Sequence, residues 1–517
     1  MNLSTFFRKN LVFLITLAVI AFLFAIAAQG MSTQDFVITL LRGLSVGAVT
    51  FLVASGFSLI FGLLDVLNLA HGTLFMIGAY IGWTIYVRPD TFVDLLTPFA
   101  LAMSGFALRD VYPLLFTRIQ LSVRMKRILP WALILVSILL FVLILPRYPI
   151  AIWNLDNYAQ SPVTYSFMAD QATRLPPPVV TFDKISPFLA LGGLLLASLL
   201  GAFGLSLFGS DVQRTTRLSW KSFTEFVTLL LVALIGCSFN DAITQFLIKL
   251  SPDWLFLIAV IVATLSGAGL GALMEATLIR PLYSRPIYQL MLTLGLSAIG
   301  IEMVRAVWGR PEFVMPKPPF FNGTGGDCPA TSFSTWWQGH CSTIFLLGGR
   351  VRVYNEIFLP LVGLVVLISI WILLQRTRLG MTIRAGVQDR EMVEALGINV
   401  RRVFSMVFAL GVGLAALGGA LAAPSMGLSN AMGENLLLDA LIALAIGGLT
   451  SYPGAALGSV LVGLLQQFII KYGQIGIPIP FTEIVLKPTP PVVPASTVLL
   501  MVIILLILPN GLLGRKE

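Results

Sequence analysis

The apolar positions of this chain gather into long runs. Leu11–Ala28, Leu129–Leu145, Phe223–Gly236, Phe358–Leu374 and Val498–Leu508 are almost free of charge and interspersed with small residues. A helix that crosses a bilayer needs about 20 mostly apolar residues, whereas a barrel strand needs far fewer. The runs therefore predict spanning α-helices and not a β-barrel. Fourteen spans are expected, at 11–28, 36–61, 72–87, 93–116, 129–146, 188–209, 223–248, 254–279, 287–308, 357–375, 403–423, 436–450, 454–471 and 496–509. Those at 72–87, 93–116 and 436–450 are short or polar enough to be re-entrant or interfacial. The first has the basic start and small residues (Ala25–Ala28) of a secretory signal. Its length in a multi-spanning chain favours a retained helix.

Composition points the same way. Apolar residues make up 57% of 517 positions and charged residues only 11%, against about a quarter in soluble domains. The fold class expected is all-α and polytopic. Lysine and arginine then set the orientation, because cytoplasmic loops carry an excess of them. Arg8 and Lys9 place the N-terminus in the cytoplasm, and Arg515 and Lys516 the C-terminus. Between them lie clusters at 118–127, at 214–221, at Arg280 and Arg285, and at 376–402. Fourteen crossings put every cluster on the same side.

The outer segments 147–187, 309–356 and 472–495 are rich in proline, and none is long enough for a separate enzyme domain. Cys328 and Cys341 fall in the second, on the oxidising side, where a disulfide is expected and two free thiols are the alternative. No metal site is expected, since His340 is the only histidine nearby. The sequence has no phosphate loop of the Gly-x-x-x-x-Gly-Lys-Ser/Thr type, no His-Glu-x-x-His and no Gly-x-Ser-x-Gly. The chain is therefore expected to be no enzyme and to bind no cofactor, and its basic clusters do not form the continuous face of a nucleic-acid binder.

Two stretches carry more. Gly62-Leu63-Leu64-Asp65-Val66-Leu67-Asn68-Leu69-Ala70-His71-Gly72 interrupts an apolar region with polar residues flanked by glycines. Such a break exposes backbone groups, which is tolerated where a pathway is lined; an ordinary cytoplasmic turn is the alternative reading. The second, from Arg378 to Asn399, contains Asp389, Glu391, Met392, Val393, Glu394 and Leu396 ahead of Gly397, a natural helix stop. Met392, Val393 and Leu396 share one face. The segment reads either as a docking helix for a soluble partner or as an amphipathic helix lying on lipid.

Both stretches resemble the membrane permease of bacterial branched-chain amino acid ABC transporters. The likeness runs from Gly43-Leu44-Ser45-Val46-Gly47 through Asn68-Leu69-Ala70-His71-Gly72, Ile279-Arg280-Pro281-Leu282 and Leu292-Thr293-Leu294-Gly295-Leu296-Ser297. It continues over 376–402 and Gly447-Gly448-Leu449-Thr450-Ser451-Tyr452-Pro453-Gly454-Ala455, and ends at Leu508-Pro509-Asn510-Gly511-Leu512-Leu513-Gly514. Against the family pattern, 1–35 is an extra N-terminal helix, 36–87 the first part of the permease core, 88–250 an insertion with its own helices, and 251–517 the remainder of the core.

The resemblance implies a permease with broken transmembrane helices in the bacterial inner membrane. It would be paired with a second permease subunit, the same or different, and served by two cytoplasmic ATP-binding subunits that use the ATP. An extracytoplasmic solute-binding protein would deliver the substrate. Asn68, His71 and Gly72, with Thr293, Ser297 and Glu302, are the expected pathway or gating residues. Asp389, Glu391, Met392, Val393, Glu394, Leu396 and Gly397 are the expected coupling residues. Urea or short amides are an alternative cargo. A secondary transporter is the rival class, with Glu275, Glu302, Arg305 and Asp439 as ionisable residues in spans.

Overall fold

The computed structural model describes residues 30–514 apart from 109–110, 113–122, 145–185, 208–219, 284, 309–311, 313, 324, 326–327, 389 and 479–484. The expected helix at 11–28 therefore lies outside the described residues. Among the described residues the secondary structure is helical except for two small antiparallel hairpins.

The contacts divide the chain into two compact units. One holds residues 30–83 and 252–514. It is built on α1 (Thr33–Leu64), which Ser32 caps by accepting the N–H of Asp35 and which ends at Asp65 in the left-handed region, φ 54°. After the six non-helical residues 65–70 comes α2 (His71–Val87), whose last residues pass into the other unit.

The second unit holds the described residues from 84 to 251. Its helices are α3 (Pro89–Ala107), α4 (Val123–Ile144), α5 (Pro187–Leu207), α6 (Trp220–Ser238) and α7 (Asn240–Lys249). They join around Ala100, Leu101, Ala190, Leu194 and Ala233. Hydroxyls donate to carbonyls of neighbouring helices, Ser137 to Ala197, Ser198 to Ala102 and Thr97 to Ala233. In hydrocarbon that is how a helix bundle without charge is stitched.

The first unit resumes with α8 (Pro252–Met274), which passes through a π-turn (Glu275–Ile279) and a 3-10 turn (Arg280–Leu282) to α9 (Pro286–Trp308). A small cap follows: α10 (Phe333–Gly339), then the hairpin β1 (Thr343–Leu346) and β2 (Gly349–Arg352), with a disulfide joining Cys328 and Cys341. A second π-turn (Val353–Phe358) leads into α11 (Leu359–Arg376), and two short helices come next, α12 (Arg378–Gln388) and α13 (Arg390–Ala395). Then come α14 (Val400–Met426), α15 (Met432–Gly447), α16 (Tyr452–Ile475), the hairpin β3 (Ile477–Pro478) and β4 (Val485–Leu486), and α17 (Val492–Ile507).

Small residues let these helices touch through their backbones. A Cβ on Gly43 would meet the Cα of Leu464 in α16 at 2.8 Å, and one on Gly78 the Cα of Ala416 in α14 at 2.4 Å. Such close approach replaces the hydrophobic drive that is missing between helices in lipid. The core of the cap (Ala330, Trp336, Cys341, Ile344, Val351, Val353) packs on Ile38 and Leu41 at the start of α1. Ile383 of α12 borders a small apolar gap with Leu59 and Leu63 at the end of α1. The segments 309–356 and 376–402 thus lie at opposite ends of one 32-residue helix.

Among the described residues seven helices have the length and apolar content of a span, or eight with α6 and α7 taken as one span bent by 71°. Fourteen spans were expected along the whole chain, and the one at 11–28 lies outside the described residues. The apolar helix at 128–144, α15 and α17 each fall short of 18 residues, as does α2 with 17. The single expected helix 223–248 is broken at Phe239.

Candidate functional site

Three places in the first unit carry polar groups in arrangements that packing alone does not require. The first is the break between α1 and α2. Asn68 closes a local turn, its Oδ1 accepting the N–H of Ala70 and its carbonyl the N–H of His71. Thr293 of α9 bridges the open backbone: its hydroxyl lies 3.3 Å from the Leu69 N–H and 3.5 Å from the Leu67 carbonyl. One turn on, Ser297 and Thr73 share a 2.6 Å hydrogen bond. His71 is fully buried, its Nε2 3.1 Å from the Val53 carbonyl and its ring edge-on to Phe57. Gly72 lies where a Cβ would sit 2.2 Å from the Gly433 carbonyl of α15, so no larger residue fits there without parting the two helices.

The structure therefore brings Asn68, His71, Gly72, Thr293 and Ser297 together. Glu302 is elsewhere. It is 66% exposed toward the far end of α9 and pairs with Arg305 at 2.5 Å, one turn away, so it belongs to the helix surface and not to the break. Around the break, Asn68 Nδ2 and His71 Nδ1 are buried without a hydrogen-bond partner, and so is Thr50 Oγ1 farther up α1. Burying polar atoms this way costs roughly 1–3 kcal/mol each. Sites that keep such atoms are the exceptions that call for an explanation.

The second place is the turn at 376–402. α12 is anchored by Ile383, which is buried, and by the tight bend at Gly380, where a Cβ would meet the Leu374 carbonyl at 2.3 Å. Sequence reasoning missed α12, in which Gly386 is a buried position. In α13 Met392 is 61% exposed, and just after it Leu396 is 73% exposed, but Val393 is only 4% exposed. The single exposed face expected for all three is corrected accordingly. A six-residue helix lying between α12 and α14 must turn one apolar residue inward, and that residue is Val393. Glu394 is exposed, and Gly397 takes φ +81°, its N–H bonding the Glu394 carbonyl as the helix ends. Asp389 lies outside the described residues, and so does the side chain of Glu391.

The third place was not expected. Near the cap end of α1 is a cavity of about 320 Å³ bordered by Arg42, Arg352, Glu356, Asp439, Gln466 and Asn355 among others. Its order begins at Glu356, whose carboxylate is completely buried on the second π-turn. Glu356 Oε1 accepts from Arg42 Nε at 3.0 Å and Arg352 Nε at 3.3 Å, and Oε2 from the Arg352 backbone N–H at 2.6 Å. Irregular π-turns recur at functional positions in helices. The only sequence signal was the charge on Glu356 at the end of an outer loop, and a charge there reads as solvated.

Glu275, one of the ionisable residues that would suit a secondary transporter, is fully engaged. It accepts from Arg280 Nε at 3.1 Å and Nη2 at 2.7 Å, from the Tyr283 hydroxyl at 2.8 Å, and from Ser405 of α14. This clamp fixes the π-turn that joins α8 to α9.

The comparisons bear on these sites. The family described as "Branched-chain amino acid transport system / permease component" matches residues 188–508, more than half of the chain. The high-affinity branched-chain amino acid transport system permease protein LivH of Escherichia coli K12 is 25% identical over 291 residues, covering 55% of this chain and 84% of that protein. BraD of Pseudomonas aeruginosa, with the same description, is 30% identical over 173 residues, 33% of this chain and 51% of that protein. The galactose/methyl galactoside import permease protein MglC of Salmonella typhimurium is 29% identical over 160 residues, 30% of this chain and 45% of that protein. No solved structure matches.

Proposed function

The chain belongs to the family of branched-chain amino acid transport permease components, and from that premise we propose that it is the membrane-spanning subunit of an ATP-driven importer of branched-chain, hydrophobic amino acids. It is a multi-pass membrane protein. In this reading it catalyses no reaction itself and lines the pathway. Two cytoplasmic ATP-binding subunits drive it, a second permease subunit completes the pathway, and an extracytoplasmic binding protein supplies the solute. The chain lies in the bacterial inner membrane with the cap outside and α12 and α13 inside.

The observation that carries this reading is the break at 65–70. A transmembrane helix interrupted there leaves open backbone and two orphaned polar side-chain atoms within the bundle. Irregular backbone at membrane depth is tolerated where it is buried in protein or lines a watery path. An amino acid also needs polar company, since its ammonium and carboxylate cannot be buried unpaired. The exposed Met392 and Leu396 suit a docking contact with a soluble ATPase, in which Glu391 and Glu394 sit at the rim and set register. The full engagement of Glu275 weighs against proton coupling through that residue.

The test is uptake of radiolabelled L-leucine, D-galactose and urea by proteoliposomes holding the assembled complex and its binding protein. ATP-dependent uptake of L-leucine alone is expected. Uptake driven by a proton gradient without ATP, or ATP-dependent uptake of urea in preference to L-leucine, contradicts the reading.

A further inference from the structure

The cavity at the cap end of α1 has a charge pattern that asks for a particular ligand. Glu356 uses both carboxylate oxygens on the two arginines, and it does so through the Nε groups and one backbone N–H. Among the described residues the Nη groups of Arg42 and Arg352 make no hydrogen bond. Two guanidinium groups against one carboxylate leave one positive charge uncompensated at this pole. Arg42 and Arg352 are partly exposed, at 41% and 48%, so their free N–H groups are accessible.

The opposite pole is Asp439 of α15. Its Oδ1 accepts from Gln466 Nε2 at 3.0 Å, and among the described residues it forms no ion pair with either arginine and its other oxygen has no partner. An ionisable residue in a span with only an amide for company marks a solute or ion path. The rest of the lining mixes the apolar Val46, Val49, Leu359 and Leu436 with neutral polar groups such as Ser45, Asn355 and Ser425. The volume of about 320 Å³ falls at the small end of ligand sites, roughly 300–1,000 Å³.

We propose that this cavity is a binding site for a zwitterionic amino acid with an aliphatic side chain. Arg42 and Arg352 take the carboxylate through their free Nη groups, Asp439 takes the ammonium, and the four apolar residues enclose the side chain. Carboxylate recognition by guanidinium is directional and charge-assisted. With Asp439 ionised, as an ammonium beside it would favour, cavity and ligand each sum to no net charge and each carries its charges at two poles. The proposal rests on the importer reading and adds to it a specific station within this chain.

The test uses the full-length chain in lipid nanodiscs and saturation-transfer NMR with three probes. These are L-leucine, 4-methylpentanoate, which lacks the ammonium, and 3-methylbutylamine, which lacks the carboxylate. L-leucine is expected to receive saturation chiefly at its methyl groups. Asp439→Asn, which keeps an acceptor for Gln466, should weaken L-leucine about tenfold or more, the value of a charged hydrogen bond, and leave 4-methylpentanoate unchanged. Arg42→Gln should weaken L-leucine and 4-methylpentanoate and spare 3-methylbutylamine. Val46→Phe, which fills the space and removes no charge, should abolish binding of all three.

No transfer to L-leucine in the native chain overturns the proposal. So does L-leucine binding that Asp439→Asn leaves intact, or an equal loss of all three probes in that variant. If proteoliposomes import L-leucine while these variants leave binding unchanged, the site falls and the importer reading stands. If binding follows the expected pattern while uptake fails, the site stands and the importer reading falls.

Discussion

The two ends of α1 solve opposite problems. At ~1.5 Å per residue, Arg42 and Asp65 lie about 35 Å apart along the helix. Near Arg42 there is open volume, four ionisable side chains and spare hydrogen-bonding capacity. Near Asp65 no ionised side chain joins the hydrogen bonds of the break, which is held instead by Thr293, Thr73 and Ser297 and by backbone-to-backbone contact at Gly72. One end has the means to select a solute. The other has tight packing held by hydroxyls and backbone contact. Thr50, His71 and Asn68, with their orphaned polar atoms, lie from the middle of α1 to the break.

The largest effect that would break this comparison is expected at Gly72. Gly72→Val forces a Cβ onto the Gly433 carbonyl, and overpacking of this kind costs ~1–3 kcal/mol or more. The yield of folded protein and its thermal midpoint should both fall sharply; a normal midpoint would show that α2 and α15 do not meet there. At the other end, Glu356→Gln removes the charge that holds two arginines. Losing one partner of a fully buried pair costs several kcal/mol, discounted here to about 1–3 because both arginines are partly exposed. L-leucine binding should fall with it, and calorimetry together with the NMR assay measures both.

A smaller structural effect with a clear functional one is expected for Asn68→Leu. The substitution removes an orphaned amide nitrogen and one local bond from the Ala70 N–H, so the fold should survive with a small loss, while uptake in reconstituted vesicles should drop because the path loses a polar station. Unchanged uptake would return the break to an ordinary turn. The smallest effect belongs to Ser297→Ala, which deletes the bond to Thr73 and should lower the stability measured by thermal unfolding by about 1 kcal/mol.

Much of the broken end was legible from the chain. Asn68, His71 and Gly72 stand out because polar residues and glycine interrupt an apolar run, and Thr293 and Ser297 are small hydroxyls one turn apart in another such run. The open end was not legible. Arg42 and Glu356 are 314 positions apart, and single charges near the ends of spans look like topology markers until the fold pairs them. Val393 was misread because the direction of a side chain on a six-residue helix is set by its neighbours more than by its own period. The bend at Phe239 and the short length of α15 were not legible because apolar content does not report where a helix bends or stops.

The central claim is that an ATP-driven engine works on this chain through α13, and it is tested most directly by isolating the assembled complex. Met392→Asp with Leu396→Asp changes two exposed side chains and leaves the buried Val393 and Ile383 in place, so the membrane fold should persist. Each full apolar burial at an interface contributes roughly 1.5–3 kcal/mol, and less in a shallow groove. The double variant, purified in detergent, should therefore lose its ATPase subunits and its substrate-stimulated ATP hydrolysis while its thermal midpoint stays near that of the native chain. An undiminished yield of bound ATPase together with normal hydrolysis would contradict the account.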